Sequence, residues 1–120
     1  MQPVVYLVRD LLFVSKIREA AASLDIPVEG VRDVETLPAA ARGARLVIVD
    51  LALPQGLRAL ELLASHPDTA AIPTVGFVGH ERTDVMETAK ALGCGQVMAK
   101  GEFATKLGGL LRGTTAAKPS

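Results

Sequence analysis

Leu46-Val47-Ile48-Val49-Asp50-Leu51-Ala52-Leu53-Pro54 decides how the rest of the chain is read. Four consecutive apolar residues, three of them β-branched, run straight into a carboxylate and then into a loop closed by proline. A strand that is apolar on both alternating faces suits burial on both sides, as in a parallel sheet covered by helices, and not a half-exposed antiparallel ribbon. Such a strand delivers its terminal Asp50 to the carboxyl edge of the sheet, the edge at which open α/β sheets meet their ligands.

The same pattern recurs along the chain. Val4-Val5-Tyr6-Leu7-Val8, Thr74-Val75-Gly76-Phe77-Val78 and Gln96-Val97-Met98-Ala99 are further strand candidates, and Pro27-Val28-Glu29-Gly30-Val31 is a weaker one. Helical periodicity fills the intervals. From Leu12 to Leu24, the residues Val14, Ile17, Ala21 and Leu24 form a stripe, and Leu57, Leu60 and Ala64 form another. Thr83 is the expected N-cap of a helix carrying Val85, Ala89 and Leu92 and ended by Gly93 in the left-handed conformation. A last helix, about Glu102 to Leu111, carries Phe103, Leu107, Leu110 and Leu111. The segment from Val34 to Arg42 is helical only if Pro38 falls in a first turn. The order is therefore β-α repeated five times. Right-handed crossovers then require an α/β fold with a doubly wound, five-stranded parallel sheet and helices on both faces.

Composition narrows the function classes. The 13 Lys plus Arg balance 13 Asp plus Glu, so no global basic footprint marks a nucleic-acid or anionic-membrane binder. The single cysteine, Cys94, excludes an internal disulfide and reads as a structural thiol. No run approaches the ~18 apolar residues of a membrane span, and the start lacks a secretory pattern. The expected location is the cytoplasm. No zinc-spaced His/Cys/Glu cluster, dinucleotide fingerprint or P-loop occurs. Residues 1–112 read as one domain, and 113–120 as a flexible tail or the start of a linker.

The strand ends gather Arg9 and Asp10, then Asp50, then Val78, Gly79 and His80, and finally Lys100. With these polar ends and the five-fold β/α order, residues 4 to 112 resemble the receiver domain of bacterial response regulators, a flavodoxin-like (βα)5 fold. The resemblance implies that Asp50 is the phosphoacceptor and that Asp10 is the second of the paired acids after the first strand. It implies that Lys100 contacts the phosphoryl group. In that chemistry the aspartate attacks a phosphohistidine donor and becomes an acyl phosphate, while Mg²⁺ and the lysine neutralise the transferring group. Asp10, Asp50 and the backbone carbonyl of Ala52 would be the metal ligands.

The departures from the family pattern carry the functional expectation. Arg9 stands where another acid is usual, and Val78 where a Ser or Thr hydroxyl binds the phosphoryl oxygen. Val97 stands where many members carry a Tyr or Phe that moves with that hydroxyl, and Gly101 replaces a proline. Two carboxylates now face two cations, so Mg²⁺ binding is expected to be weak or lost. If Arg9 folds inward, its guanidinium pairs with Asp10 or Asp50; if it points to solvent, weak binding survives.

The expected function is that of an atypical receiver-like module in a two-component or phosphorelay system. It would act by docking a histidine kinase, a phosphotransfer protein or an effector. The docking face implied by the resemblance runs from Asp84 to Leu111, includes Lys90, Val97 and Lys106, and is also the face for a homodimer. The alternative is a working phosphoacceptor charged on Asp50 by a histidine kinase. A small enzyme pairing Asp50 with His80 is disfavoured, because one rim histidine and two carboxylates make a thin catalytic set. Each residue also has a plain role open to it. On this plain reading Asp50 caps its loop, Asp10 caps a helix, Lys100 and His80 are solvated, and Val78 and Val97 are ordinary strand residues.

Overall fold

In the computed structural model, which describes residues 2–113, strand β3 (Leu46–Asp50) is buried at all five positions. It lies at the centre of a five-stranded sheet of order β2-β1-β3-β4-β5. The other strands are β1 (Val4–Leu7), β2 (Val28–Gly30), β4 (Thr74–Val78) and β5 (Gln96–Ala99), and every pairing is parallel. The fold is α/β and flavodoxin-like, as the apolar runs require.

Alternation along the strands splits the core in two. Val5, Leu7, Val47 and Val49 face one layer, with Leu37, Leu60, Leu63 and Val85 from the helices. These belong to α2 (Leu37–Ala41), α3 (Gly56–Ser65) and α4 (Thr83–Ala91). Val4, Tyr6, Leu46 and Ile48 face the other layer, built on α1 (Leu11–Ser23) and α5 (Lys100–Arg112). Chain order runs outward from β1 to β2, then returns to β3 on the other side of β1. The crevice at this switch in direction lies between the carboxyl ends of β1 and β3.

Several helix details differ from expectation. The buried stripe of α1 is Phe13, Ile17 and Ala21, an i, i+4 series, and Val14 and Leu24 only border it. In α3 the buried residues include Ala59, Leu60 and Leu63, while Ala64 is exposed. Thr83 is the first helical residue of α4 and not its cap, because the Arg82 carbonyl already accepts the Met86 N–H and opens the ladder one residue earlier. The last helix begins at Lys100, two residues before Glu102, and buries the four expected residues. Pro38 does sit in the first turn of α2, behind a short 3-10 turn at Val34–Thr36. Gly93 (φ +95°) takes the left-handed position expected of it. Of the tail expected at 113–120, Gly113 (φ +85°) is the left-handed cap of α5, and 114–120 lie outside the described residues. Among the described residues, no helix is long and apolar enough to cross a membrane.

Candidate functional site

Asp50 ends β3 and is only 4% exposed. Its Oδ1 accepts the Ala52 N–H at 3.0 Å, which turns the carboxylate back over the loop that follows the strand. Gly56, at the start of α3, permits this turn. A Cβ there would lie 2.7 Å from the Asp50 carbonyl oxygen and 2.9 Å from the Leu51 Cα. On the next strand, Phe77 is the register partner of Asp50, and its carbonyl accepts the Leu51 N–H at 2.9 Å.

Asp10 and Lys100 meet across the crevice. Asp10 caps α1, its Oδ1 accepting the Leu12 N–H at 3.0 Å, which leaves Oδ2 facing the crevice. Its Oδ2 lies 3.6 Å from the Lys100 Nζ, a half-exposed ion pair. The same Nζ stands 5.7 Å from the centroid of the Phe13 ring, which gives the ammonium an aromatic face to rest on. Phe13 in turn packs on Phe77 and Phe103, at 5.1 and 5.9 Å between ring centroids. Sequence reasoning missed this support, although the spacing of Phe13, Ile17 and Ala21 carried the signal.

Burial pushes the Asp50 carboxyl above its ordinary value of 3.8. The Ala52 N–H and the Lys100 charge pull the other way, and Asp10 adds to the rise. The raised value makes the ionised carboxylate a cost to folding. Stability is therefore lost as pH climbs from the unfolded value through the folded one, and the cost is fully present above the folded value. Asp50→Asn keeps an oxygen for the Ala52 N–H and removes the charge. Near neutral pH it is expected to melt above the wild type, with the gain vanishing below the ordinary value of 3.8. Thermal melts at both ends of this range check it; a variant that melts lower at neutral pH sinks the argument.

The remaining residues divide clearly. Arg9 is exposed and donates a long hydrogen bond from Nη2 to the Arg32 carbonyl, at 3.4 Å. It forms no ion pair with Asp10 or Asp50, so the inward pairing does not occur. Val78 is buried in the layer of α2 to α4, and Val97 packs against the same layer. Neither brings a hydroxyl or ring to Asp50. The His80 side chain is 91% exposed and faces Glu81, 3.9 Å away. Lys90 lies exposed in the last turn of α4, and Lys106 pairs with Glu102 at 2.7 Å on α5. Cys94 is buried, donates toward the Gln96 carbonyl at 3.2 Å, and burial pushes its thiol pKa up, consistent with a structural thiol.

The donor set does not fit a tight Mg²⁺ site. One oxygen of Asp10 is held by an amide and the other by Lys100, and one oxygen of Asp50 is held by Ala52. Among the described residues no group of three His, Cys, Asp or Glu side chains converges. Mg²⁺ favours several oxygen ligands with surplus negative charge, and here Lys100 already answers Asp10.

No family model and no curated protein sequence matches the chain. Solved structures do. A response regulator from Hahella chejuensis superposes with a TM-score of 0.80 at 17% identity, over 100% of this chain and 99% of that one. The receiver domain of a sensor histidine kinase from Pseudomonas aeruginosa, with magnesium in its active-site cleft, gives 0.76 at 18% identity, over 92% of this chain and 94% of that one. A phosphorylated cyanobacterial phytochrome response regulator gives 0.74 at 24% identity over the full length of both chains. The fold is that of response-regulator receiver domains.

Proposed function

We propose that this chain is a receiver-type signalling domain of a two-component system that acts in the cytoplasm through protein–protein contacts, with phosphorylation of Asp50 weak or uncoupled from its output. The observation that carries this reading is the pocket itself. A buried Asp50 stands beside an Asp10–Lys100 ion pair at the switch point of the sheet, while β4 ends in Val78 and β5 carries Val97 within it. The first three residues are the types that phosphoryl transfer to aspartate uses. The two valines lack the groups that would pass a phosphoryl signal from the pocket to the outer face. The output would come from the face of α4, β5 and α5, with Lys90, Val97 and Lys106 on it, toward a histidine kinase, a phosphotransfer protein or an effector, or toward a second copy of the chain.

Amide NMR spectra recorded with Mg²⁺ and then beryllofluoride test the reading. The expected result is a small response confined to the surroundings of Asp10, Asp50 and Lys100. Saturable shifts that spread through Val97 to α4 and α5 would overturn it in favour of a working phosphoacceptor switch.

A further inference from the structure

Beside the acidic pocket, on the outer side of β1, lies a second feature that the phosphoacceptor reading does not use. It is an open cleft of about 690 Å³ between α1 and the short edge strand β2. Its floor is largely apolar, with Tyr6, Val14 and Val31, and its walls carry three guanidinium groups, Arg9, Arg18 and Arg32.

The cleft follows from local sequence. Gly30 pairs with Tyr6 in register, and a Cβ at Gly30 would lie 2.8 Å from the tyrosine ring. Only glycine lets the ring lie over β2, where it forms the floor. Arg18 donates to the Tyr6 hydroxyl at 3.2 Å, and Arg9 to the Arg32 carbonyl at 3.4 Å, so two of the guanidinium groups are tethered to the cleft by neutral acceptors.

What these arginines lack is charge compensation. Elsewhere on the surface Arg42, Arg58 and Arg82 each pair with a carboxylate, while Arg45 and Arg112 pair with none among the described residues; the cleft is where three such guanidinium groups gather in one concavity. Among the described residues, no carboxylate oxygen lies within 4.0 Å of a side-chain nitrogen of Arg9, Arg18 or Arg32. Three uncompensated cations in one concavity repel each other and focus a positive potential into it, in a chain whose net charge is zero. Guanidinium forks match phosphate oxygens in pairs. The volume falls within the range of about 300–1,000 Å³ typical of small-molecule sites.

We infer that this cleft binds a small organic polyphosphate, its phosphates held by Arg9, Arg18 and Arg32 and its less polar body resting on Tyr6, Val14 and Val31. The inference stands apart from phosphorylation at Asp50, and either can fail without the other.

The test is an amide NMR titration of the whole chain with ATP and GTP, in the absence of divalent ions. Inorganic tripolyphosphate serves as the charge-only probe and a glutamate-rich peptide as the acidic-protein probe. A nucleotide should give saturable shifts at Tyr6, Gly30 and Val31, and bind at least several-fold more tightly than tripolyphosphate. Arg18→Gln, which retains a donor for the Tyr6 hydroxyl, and Arg32→Ala should each weaken binding roughly tenfold or more. Their beryllofluoride response around Asp50 should match the wild type, which separates this site from the acidic pocket. No saturable nucleotide binding, equal binding of tripolyphosphate, tighter binding of the peptide, or indifference to both substitutions would each overturn the proposal.

Discussion

Phe77→Ala is expected to lower the unfolding free energy by about 3–5 kcal/mol, the usual cost of removing a fully buried aromatic side chain. Phe77 is fully buried, stacks on Phe103 with ring centroids 4.4 Å apart, and lies 5.1 Å from Phe13. The chain contains three phenylalanines and no tryptophan, so this one cluster holds all of its phenylalanine rings. The rings come from α1, β4 and α5, and the cavity left by Phe77 would therefore open between the sheet and both helices of that layer. A domain of this size has a total stability of about 5–15 kcal/mol, which leaves the variant near the edge of unfolding. Phe77→Leu should cost far less, since most of the apolar volume is kept. Urea denaturation of the pair measures both. If alanine costs less than about 1 kcal/mol, the layer collapses around the gap and the cluster does not pin α1 and α5.

That cluster also shows where the sequence speaks and where it stops. The strands were legible because parallel strands covered on both faces must be apolar at successive positions, and β1, β3, β4 and β5 are. Chain breakers were legible for the same local reason: Pro38 fits only a first helical turn, and Gly93 readily takes a positive φ. The buried stripe of α1 was not, because Phe13 and Val14 are adjacent and both apolar, and a one-residue shift changes which of them faces the sheet. Nor was the role of Gly56, whose constraint comes from the backbone of Asp50 and Leu51 and leaves no periodic mark. The direction of Arg9 was set by a carbonyl 23 residues away, at Arg32, beyond the reach of any local pattern. Asp10, Asp50 and Lys100 could be placed at one edge of the sheet from strand ends alone. The ion pair between Asp10 and Lys100, and the ring beneath the lysine, required the packing of α1 against α5.

The Arg9 position supports the second large expectation, that Arg9→Asp will tighten Mg²⁺ binding by roughly ten- to hundredfold. The wild-type pocket offers Asp10 and Asp50, with Lys100 already 3.6 Å from one Asp10 oxygen. The arginine side chain leaves the pocket toward Arg32, so its removal alone frees little space. The gain must come from the added carboxylate. One more negative charge about 6 Å from a divalent ion, in the high effective dielectric of a half-exposed site, contributes about 2 kcal/mol, which is near thirtyfold. Arg9→Ala removes one positive charge without supplying a ligand and should fall between the two. Without the ion, Arg9→Asp crowds three carboxylates around one lysine and should melt below the wild type near neutral pH. Added Mg²⁺ should restore it, since binding only to the folded state raises stability by mass action. Calorimetric titration and melts with and without Mg²⁺ measure both effects. If Arg9→Asp binds the ion no better than the wild type, the limit is the Lys100–Asp10 pair and not the missing third acid, and the charge argument for a weakened metal site fails. If the wild type already binds as tightly as the variant, the pocket is metal-competent as it stands, and the case for a working phosphoacceptor at Asp50 gains the ground that the atypical reading loses.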